Sequence, residues 1–262
     1  MNPEPVPTLR ILAGTRAAVR LAEAAALRFA DRLDVAVALS GVGAPPHGCR
    51  VDAIGIGPAV LGQATAVIDG LDPFAREAVR SVREAARRAG IPRLTFRPPV
   101  WHRHPLDRWV EVRDLDGAVG AVASVARTVL LALPERDLTP FEAVGGLRFP
   151  VRLTRPPAHW ARPARFSPEL CPPPTCREAE IRLLRRTGAR AVAMRATGTD
   201  EDAPLVQAAR ALDLPVVMIR RPLERGEVPA RDVEAALDWV AATLAGMLAG
   251  VSPLSRDVPA WR

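Results

Sequence analysis

The assignment of a fold begins with the segment Leu9-Arg10-Ile11-Leu12-Ala13-Gly14-Thr15-Arg16. Its apolar first half predicts a short β-strand, its Gly-Thr pair predicts a tight turn, and residues 17–30 follow with a helical pattern. At a turn between a strand and a helix, unpaired amides and the positive end of the helix dipole point the same way. The segment therefore predicts an anion-binding corner, provided that the rest of the chain builds an α/β domain around it.

The remainder of the chain alternates between short apolar runs and amphipathic segments. Strands are predicted at residues 34–39, 50–54, 65–68, 94–96, 109–112, 129–132, 150–153, 191–194 and 216–219. Helices are predicted at residues 74–89, 115–126, 178–187, 204–212 and 233–248. This order predicts two Rossmann-like, doubly wound α/β lobes, each with a parallel sheet, and a cleft between them.

A stretch rich in Pro, His and Trp, residues 97–108, interrupts the alternation and reads as a crossover between the lobes. We therefore expect an N-terminal lobe over residues 1–100, a C-terminal lobe over 101–248 and a loose tail over 249–262. Ligands of doubly wound sheets bind beyond the carboxyl ends of the strands. The loops that follow predicted strands are expected around one ligand region, at residues 13–15, 40–41, 69–74, 133–136 and 195–200.

The charge of the chain comes entirely from arginine on its basic side. The 262 residues include 36 Lys and Arg against 29 Asp and Glu, a net charge of +7, and none of the cations is Lys. These arginines are interleaved with acids along the predicted helices, which weighs against nucleic acid as a partner. A small polyanionic ligand is at least as compatible with this charge, because a guanidinium group can donate two parallel hydrogen bonds to a carboxylate or a phosphate.

Membrane and metal sites have little support in the sequence. No apolar run approaches the roughly 18–20 residues of a membrane span, and the N-terminus lacks a signal-peptide pattern, so we expect a cytoplasmic protein. Cys49, Cys171 and Cys176 are expected to be free thiols, because zinc ligation requires a further pair of ligands. His102 and His104 have no Cys or acidic residue at a spacing that completes a site, and no metal is predicted.

Several segments between residues 9 and about 240 carry a family resemblance. They are Ala13-Gly14-Thr15, Leu39-Ser40-Gly41, Asp69-Gly70-Leu71-Asp72-Pro73-Phe74-Ala75, Arg97-Pro98-Pro99 with Trp101, Arg108-Trp109-Val110-Glu111-Val112, Pro150-Val151-Arg152-Leu153 with Pro156-Pro157, and Leu214-Pro215-Val216-Val217-Met218-Ile219-Arg220-Arg221-Pro222. By these segments the chain resembles the precorrin-6A reductase / cobalt-precorrin-6A reductase family, whose members are NADPH-dependent enzymes of cobalamin biosynthesis.

The resemblance implies a reaction and a set of binding residues. The reaction is hydride transfer from NADPH to precorrin-6A or cobalt-precorrin-6A, an oxidoreductase step on a CH–CH bond that gives the dihydro product. Cofactor binding is expected at Gly14, Thr15, Arg16, Ser40, Gly41, Asp69, Asp72, Pro73 and Phe74. Binding of a polycarboxylate tetrapyrrole substrate is expected at Arg136, Arg155, Arg195, Thr197 and Gly198. No catalytic residue is nominated, and a monomer or a homodimer is expected.

The chain also departs from the family pattern in several motifs. Family members usually carry Thr and His where this chain has Leu71 and Asp72, and Lys-Asn-Ser-Gly-Gly where it has residues 195–199. Two alternatives therefore stay open. One is a divergent, non-catalytic relative that binds a tetrapyrrole or a nucleotide, and the other is an unrelated nucleotide-binding α/β protein.

Overall fold

The computed structural model describes residues 6–40, 45–52, 58–157, 159–172, 175–222 and 228–248. The chain divides into two compact units. The first consists of Met1–Pro99 and Leu223–Arg262, and the second of Val100–Pro222. The predicted tail at 249–262 lies outside the described residues.

The first unit is built around a parallel sheet. Its elements before the crossover are β1 (Thr8–Ala13), α1 (Arg16–Arg28), β2 (Asp34–Leu39), β3 (Arg50–Asp52), β4 (Ala66–Gly70), α2 (Arg76–Ala89) and β5 (Arg93–Thr95). Over the described residues the strand order is β3-β2-β1-β4-β5, with every pairing parallel. The chain builds outward from β1 on one side and then returns to its other side with β4. The junction between β1 and β4 is therefore the topological switch point of this sheet.

Alternation along the strands sends side chains to two apolar layers. Leu9 and Ile11 face the layer that contains Leu21 of α1, whereas Leu12 faces the layer that contains Val79 and Val82 of α2. Both faces of the sheet are thus covered by helices, as is usual for an all-parallel sheet.

The second unit repeats this architecture. Its elements are β6 (Arg108–Val112), α3 (Leu115–Val125), β7 (Val129–Ala132), β8 (Phe149–Leu153), β9 (Phe166–Leu170), α4 (Arg177–Thr187), β10 (Ala191–Arg195), α5 (Ala203–Ala211) and β11 (Pro215–Ile219). In the described part of the unit these strands form one parallel sheet in the order β6-β11-β10-β7-β8-β9. The switch point lies between β7 and β10, because β8 and β9 extend the sheet on one side of β7 and β10 lies on the other.

The last helix, α6 (Val233–Leu248), belongs to the first unit. Its apolar residues Leu237, Val240 and Leu244 pack in the same core as Leu9 and Leu21. The prediction had assigned this helix to the lobe at 101–248. The chain in fact returns to the first unit after Pro222, and α6 packs in the same apolar layer as α1.

The two α/β units with parallel sheets confirm the predicted fold class. Strand β9 is the main element that the sequence analysis missed. Within the described residues, no helix has the length and apolar character that crossing a membrane requires.

Candidate functional site

The first candidate site is the corner where β1 turns into α1, at the switch point of the first sheet. The Gly14 amide donates to the Gly70 carbonyl at 3.0 Å. A Cβ atom added to Gly14 would lie 2.5 Å from the Asp72 nitrogen and 2.8 Å from the Leu71 Cα. Only glycine allows the two loops to approach this closely.

Helix α1 begins directly at this corner. Thr15 has extended backbone angles and its Oγ1 accepts a hydrogen bond from the Ala18 amide at 3.2 Å, so it is the N-cap residue of the helix. The first turn contains no acidic residue, and Arg16 at its first position is exposed. The positive end of the helix dipole is thus reinforced by a cation, which favours a bound anion.

Loop residues after β4 and β2 complete the corner. Asp72 Oδ1 accepts a hydrogen bond from the Phe74 amide at 2.9 Å, which directs this carboxylate into its own turn. Pro73 and Phe74 are half-buried in that turn. The Ser40 amide donates to the Ala13 carbonyl at 2.9 Å, so the end of β2 lies beside the end of β1. Gly41 lies outside the described residues.

Asp69 has a different environment from the other predicted cofactor residues. It is fully buried, and its carboxylate contacts two arginines, with Oδ2 at 2.8 Å from Arg93 Nη1 and Oδ1 at 3.2 Å from Arg97 Nη2. Asp69 Oδ1 also accepts a hydrogen bond from the Leu71 amide at 3.2 Å. Asp69 therefore stabilises the corner, because it holds the loop that contacts Gly14.

The second candidate site lies at the switch point of the second sheet. Arg195, at the end of β10, forms an ion pair with Asp137, which follows β7. Asp137 also lies 3.9 Å from the guanidinium of Arg136, a mostly exposed side chain. The loops at 133–136 and 195–200, which the sequence analysis grouped together, are thus adjacent in the second unit.

The loop after β10 is held by polar contacts from several sides. The hydroxyls of Thr197 and Thr199 lie 2.8 Å and 3.3 Å from Asp202 Oδ2. Arg221, which follows β11, donates to the Thr197 carbonyl. Gly198 has a positive φ of 72°, a conformation that glycine adopts without strain. Arg155, which follows β8, is exposed at the same carboxyl edge.

Buried ion pairs behind both sites were not predicted from the sequence. In the second unit Arg152, on β8, pairs with Glu180 of α4, and both side chains are almost completely buried. One signal was available, since an Arg among apolar neighbours in a short strand predicts a buried charge that needs a counter-ion. The identity of that partner, 28 residues away, is a property of the tertiary fold.

Among the described residues, no group of three or more His, Cys, Asp or Glu side chains is arranged to hold a metal ion. The three cysteines are free thiols, with Cys176 exposed and Cys49 and Cys171 partly buried.

Comparison with known proteins gives a consistent result over almost the whole chain. The family model described as precorrin-6x reductase CbiJ/CobK matches residues 8–241, which include the strands of both sheets. A solved structure of CobK precorrin-6A reductase is similar with a TM-score of 0.81 and 26% sequence identity, over 90% of this chain and 97% of that chain.

Curated relatives carry the same name. The precorrin-6A reductase of Rhodobacter capsulatus is 33% identical over 180 residues, 68% of this chain and 70% of the relative. That of Rhodococcus erythropolis is 30% identical over 176 residues, 67% of this chain and 71% of the relative. That of a Sinorhizobium species is 28% identical over 230 residues, 82% of this chain and 85% of the relative.

Proposed function

The chain belongs to the precorrin-6x reductase (CbiJ/CobK) family of oxidoreductases, and from this premise we propose that it reduces precorrin-6A, or its cobalt-containing counterpart, with NADPH. The product is the dihydro corrin precursor. The observation that carries the proposal is the corner at the first switch point, where the loop after β4 packs against Gly14 beside the N-terminus of α1. A family reductase needs a dinucleotide at such a position.

The residues of this corner fit a dinucleotide phosphate. The N-terminus of α1 follows this turn without an acidic residue in its first turn, so the helix dipole attracts the charge of a pyrophosphate. Arg16 is the candidate partner for a 2′-phosphate. Asp72 introduces a negative charge nearby, but its carboxylate is engaged by the Phe74 amide. When bound, the nicotinamide supplies the hydride.

The second switch point fits a ligand with several carboxylates. Arg136 and Arg155 are exposed at the carboxyl edge of the second sheet, and Arg195 lies in the same group of loops. A guanidinium can bind a carboxylate through two parallel hydrogen bonds, which orients the ligand as well as attracting it. Thr197 and Gly198 add a hydroxyl and an accessible backbone. We propose that these five residues bind and orient the tetrapyrrole.

Two measurements, made one after the other, test this function. Calorimetry with NADPH and NADH measures cofactor affinity and preference in the absence of any substrate. Loss of nicotinamide absorbance is then followed after addition of precorrin-6A or cobalt-precorrin-6A. We expect binding of NADPH in preference to NADH, and oxidation that depends on the tetrapyrrole.

Membership of the family excludes an unrelated nucleotide-binding protein, and the remaining alternative predicts a different result. A non-catalytic relative would bind the tetrapyrrole or the nucleotide without oxidising NADPH. Absence of tetrapyrrole-dependent oxidation of NADPH contradicts the proposed function, whether or not NADPH binds.

A further inference from the structure

A buried polar network connects β8, α4 and the beginning of α5 in the second unit. Arg152 Nε donates to Glu180 Oε1 at 2.9 Å, and Arg152 Nη2 lies 2.8 Å from the same oxygen. The remaining nitrogen, Nη1, lies 3.7 Å from Asp202 Oδ1. Thr175 adds a further hydrogen bond to Glu180 Oε1 at 3.0 Å. The guanidinium of Arg152 thus joins a carboxylate of α4 to the carboxylate of the N-cap residue of α5.

The charge of Arg152 is retained in this buried position. Burial lowers the pKa of the guanidinium, but the attraction and hydrogen bonds of Glu180, together with the charge of Asp202, hold the pKa above its ordinary value. Arg152 is therefore a permanent cation between these two acids.

Stability alone is a poor explanation for such a network. Glu180 is fully buried, and within the described part of the chain its Oε2 atom has no hydrogen-bond partner. An unpartnered buried oxygen is costly. Replacement of a buried ion pair by apolar side chains of similar volume is often neutral or stabilising. A role beyond stability is consistent with the contact that the network makes outside the core, at Asp202.

Asp202 links Arg152 to the loop after β10. Its Oδ2 atom accepts from the Thr197 hydroxyl at 2.8 Å and lies 3.3 Å from the Thr199 hydroxyl. The Thr199 carbonyl in turn accepts from the Ala203 amide at 3.2 Å, at the first residue of α5. The side chain of Asp202 is 28% exposed, so water competes for it unless Arg152 fixes its orientation. The conformation of the loop after β10 therefore depends on Arg152, a cation that is buried in the core.

We propose that Arg152 is a positioning residue for the substrate loop at residues 197–202. Anchored by Glu180, it orients Asp202, and Asp202 holds Thr197 and Thr199 in the geometry that receives a carboxylate-bearing tetrapyrrole. The substrate part of this inference rests on the proposed function. The ordering of the loop does not, and it can be measured without any ligand.

The decisive variant combines Arg152→Met with Glu180→Leu. Arg152→Met alone would leave Glu180 as an unpaired buried charge and could prevent folding. The double variant removes the ion pair together with the orphaned oxygen, so we expect thermal stability equal to or above that of the wild type. Hydrogen exchange at the Thr199 and Ala203 amides of the ligand-free protein should become about tenfold faster. The KM for the tetrapyrrole should rise about tenfold while kcat changes by less than about threefold.

Two further variants separate positioning from general structure. Arg152→Lys keeps the charge, but an ammonium group lacks the planar set of donors that contacts both carboxylates. We therefore expect a hydrogen-exchange rate and a KM between those of the wild type and the double variant. Arg210→Met is the matched control. Arg210 lies at the other end of α5 and pairs with buried Asp107 at 2.7 Å. This variant should lose stability without a change in exchange at Thr199 and Ala203 or in KM.

The proposal is overturned if the double variant exchanges at the wild-type rate, or if it exchanges faster with an unchanged KM. A wild-type protein that does not oxidise NADPH with the tetrapyrrole overturns the proposed function instead. In that case the exchange measurement still supports or overturns the ordering of the loop by Arg152.

Discussion

Gly14 and Gly70 join the two strands at the switch point of the first sheet, the Gly14 amide donating to the Gly70 carbonyl at 3.0 Å. Both positions exclude a side chain. A Cβ on Gly14 would meet the backbone of residues 71–72 at 2.5–2.9 Å, and a Cβ on Gly70 would lie 2.5 Å from the Ala18 Cβ. The strand end, the first turn of α1 and the loop after β4 are therefore packed as one unit.

Gly14→Ala is predicted to disrupt this corner. The methyl group collides with backbone rather than with a movable side chain, so the free energy of unfolding should fall by about 1–3 kcal/mol. If the corner binds NADPH, its affinity should fall about tenfold or more, equivalent to about 1.4 kcal/mol. Urea denaturation and calorimetry measure the two effects.

Gly120→Ala is the matched control for this prediction. Gly120 is exposed within α3, and a Cβ there would meet nothing within 4 Å. Alanine should stabilise the helix by about 0.5–1 kcal/mol and leave NADPH affinity unchanged. Equal NADPH affinity in Gly14→Ala and the wild type would contradict a cofactor site at this corner.

Asp69→Asn is predicted to destabilise the first unit strongly. The substitution removes a fully buried carboxylate that contacts both Arg93 and Arg97, whose side chains are only 6% and 5% exposed. Loss of one partner from a buried ion pair costs about 3–5 kcal/mol. Urea unfolding followed by circular dichroism measures the change.

Asp213→Asn is the corresponding exposed control. Asp213 pairs with Arg108 at 3.2 Å, but the two side chains are 79% and 56% exposed. An ion pair of this kind contributes less than about 1 kcal/mol. A loss for Asp69→Asn no larger than that for Asp213→Asn would show that the buried carboxylate is not a structural anchor.

Most of the regular elements were predictable because their signals are local. The apolar runs of β2 and β7 and the helical pattern of α6 were assigned with the bounds that the structure has. Strand β9 was missed because it is an edge strand with Pro168 at its centre and only Phe166 buried. Edge strands need neither apolar alternation nor a full set of backbone donors.

Contacts between residues far apart in the sequence could not be predicted, for a different reason. The apolar face of α6 indicates that it is buried, but not that its partners are Leu9 and Leu21 in the first unit. The same holds for the buried ion pairs, in which the partner of each charge is chosen by the fold. The loops that carry the candidate sites were therefore predictable from the sequence, but the buried ion pairs that support these loops were not.

Cys49 is predicted to react slowly with alkylating reagents at neutral pH. Burial, with a further contribution from Glu23, raises the pKa of its thiol to about 11. Only the thiolate is nucleophilic. Its alkylation rate should therefore rise roughly tenfold for each pH unit above neutrality and level off only near pH 11. Peptide mass spectrometry after timed labelling measures the rate at each pH.

The denatured protein provides the reference for Cys49. In denaturant the pKa of the thiol should return to its ordinary value of about 8.5, so the rate should level off at least two pH units earlier. Exposed Cys176 should be labelled before Cys49 in the folded protein at pH 8. A Cys49 rate that levels off below about pH 9 in the folded state would contradict the raised pKa.

Arg155→Gln and Arg195→Gln are predicted to weaken substrate binding with different effects on stability. Arg155 is exposed, so its loss should raise the KM for the tetrapyrrole about tenfold with little change in the free energy of unfolding. Arg195 is only 11% exposed and pairs with Asp137, so its loss should also lower the free energy of unfolding by about 3 kcal/mol.

Arg190→Gln is the control for both, because it removes the same charge at the opposite end of β10. Arg190 immediately precedes the strand and is exposed, whereas Arg195 ends it at the carboxyl edge. If the substrate binds at that carboxyl edge, Arg190→Gln should leave KM unchanged. An equal rise in KM for all three variants would mean that net charge attracts the tetrapyrrole, and it would contradict a site built from Arg155 and Arg195.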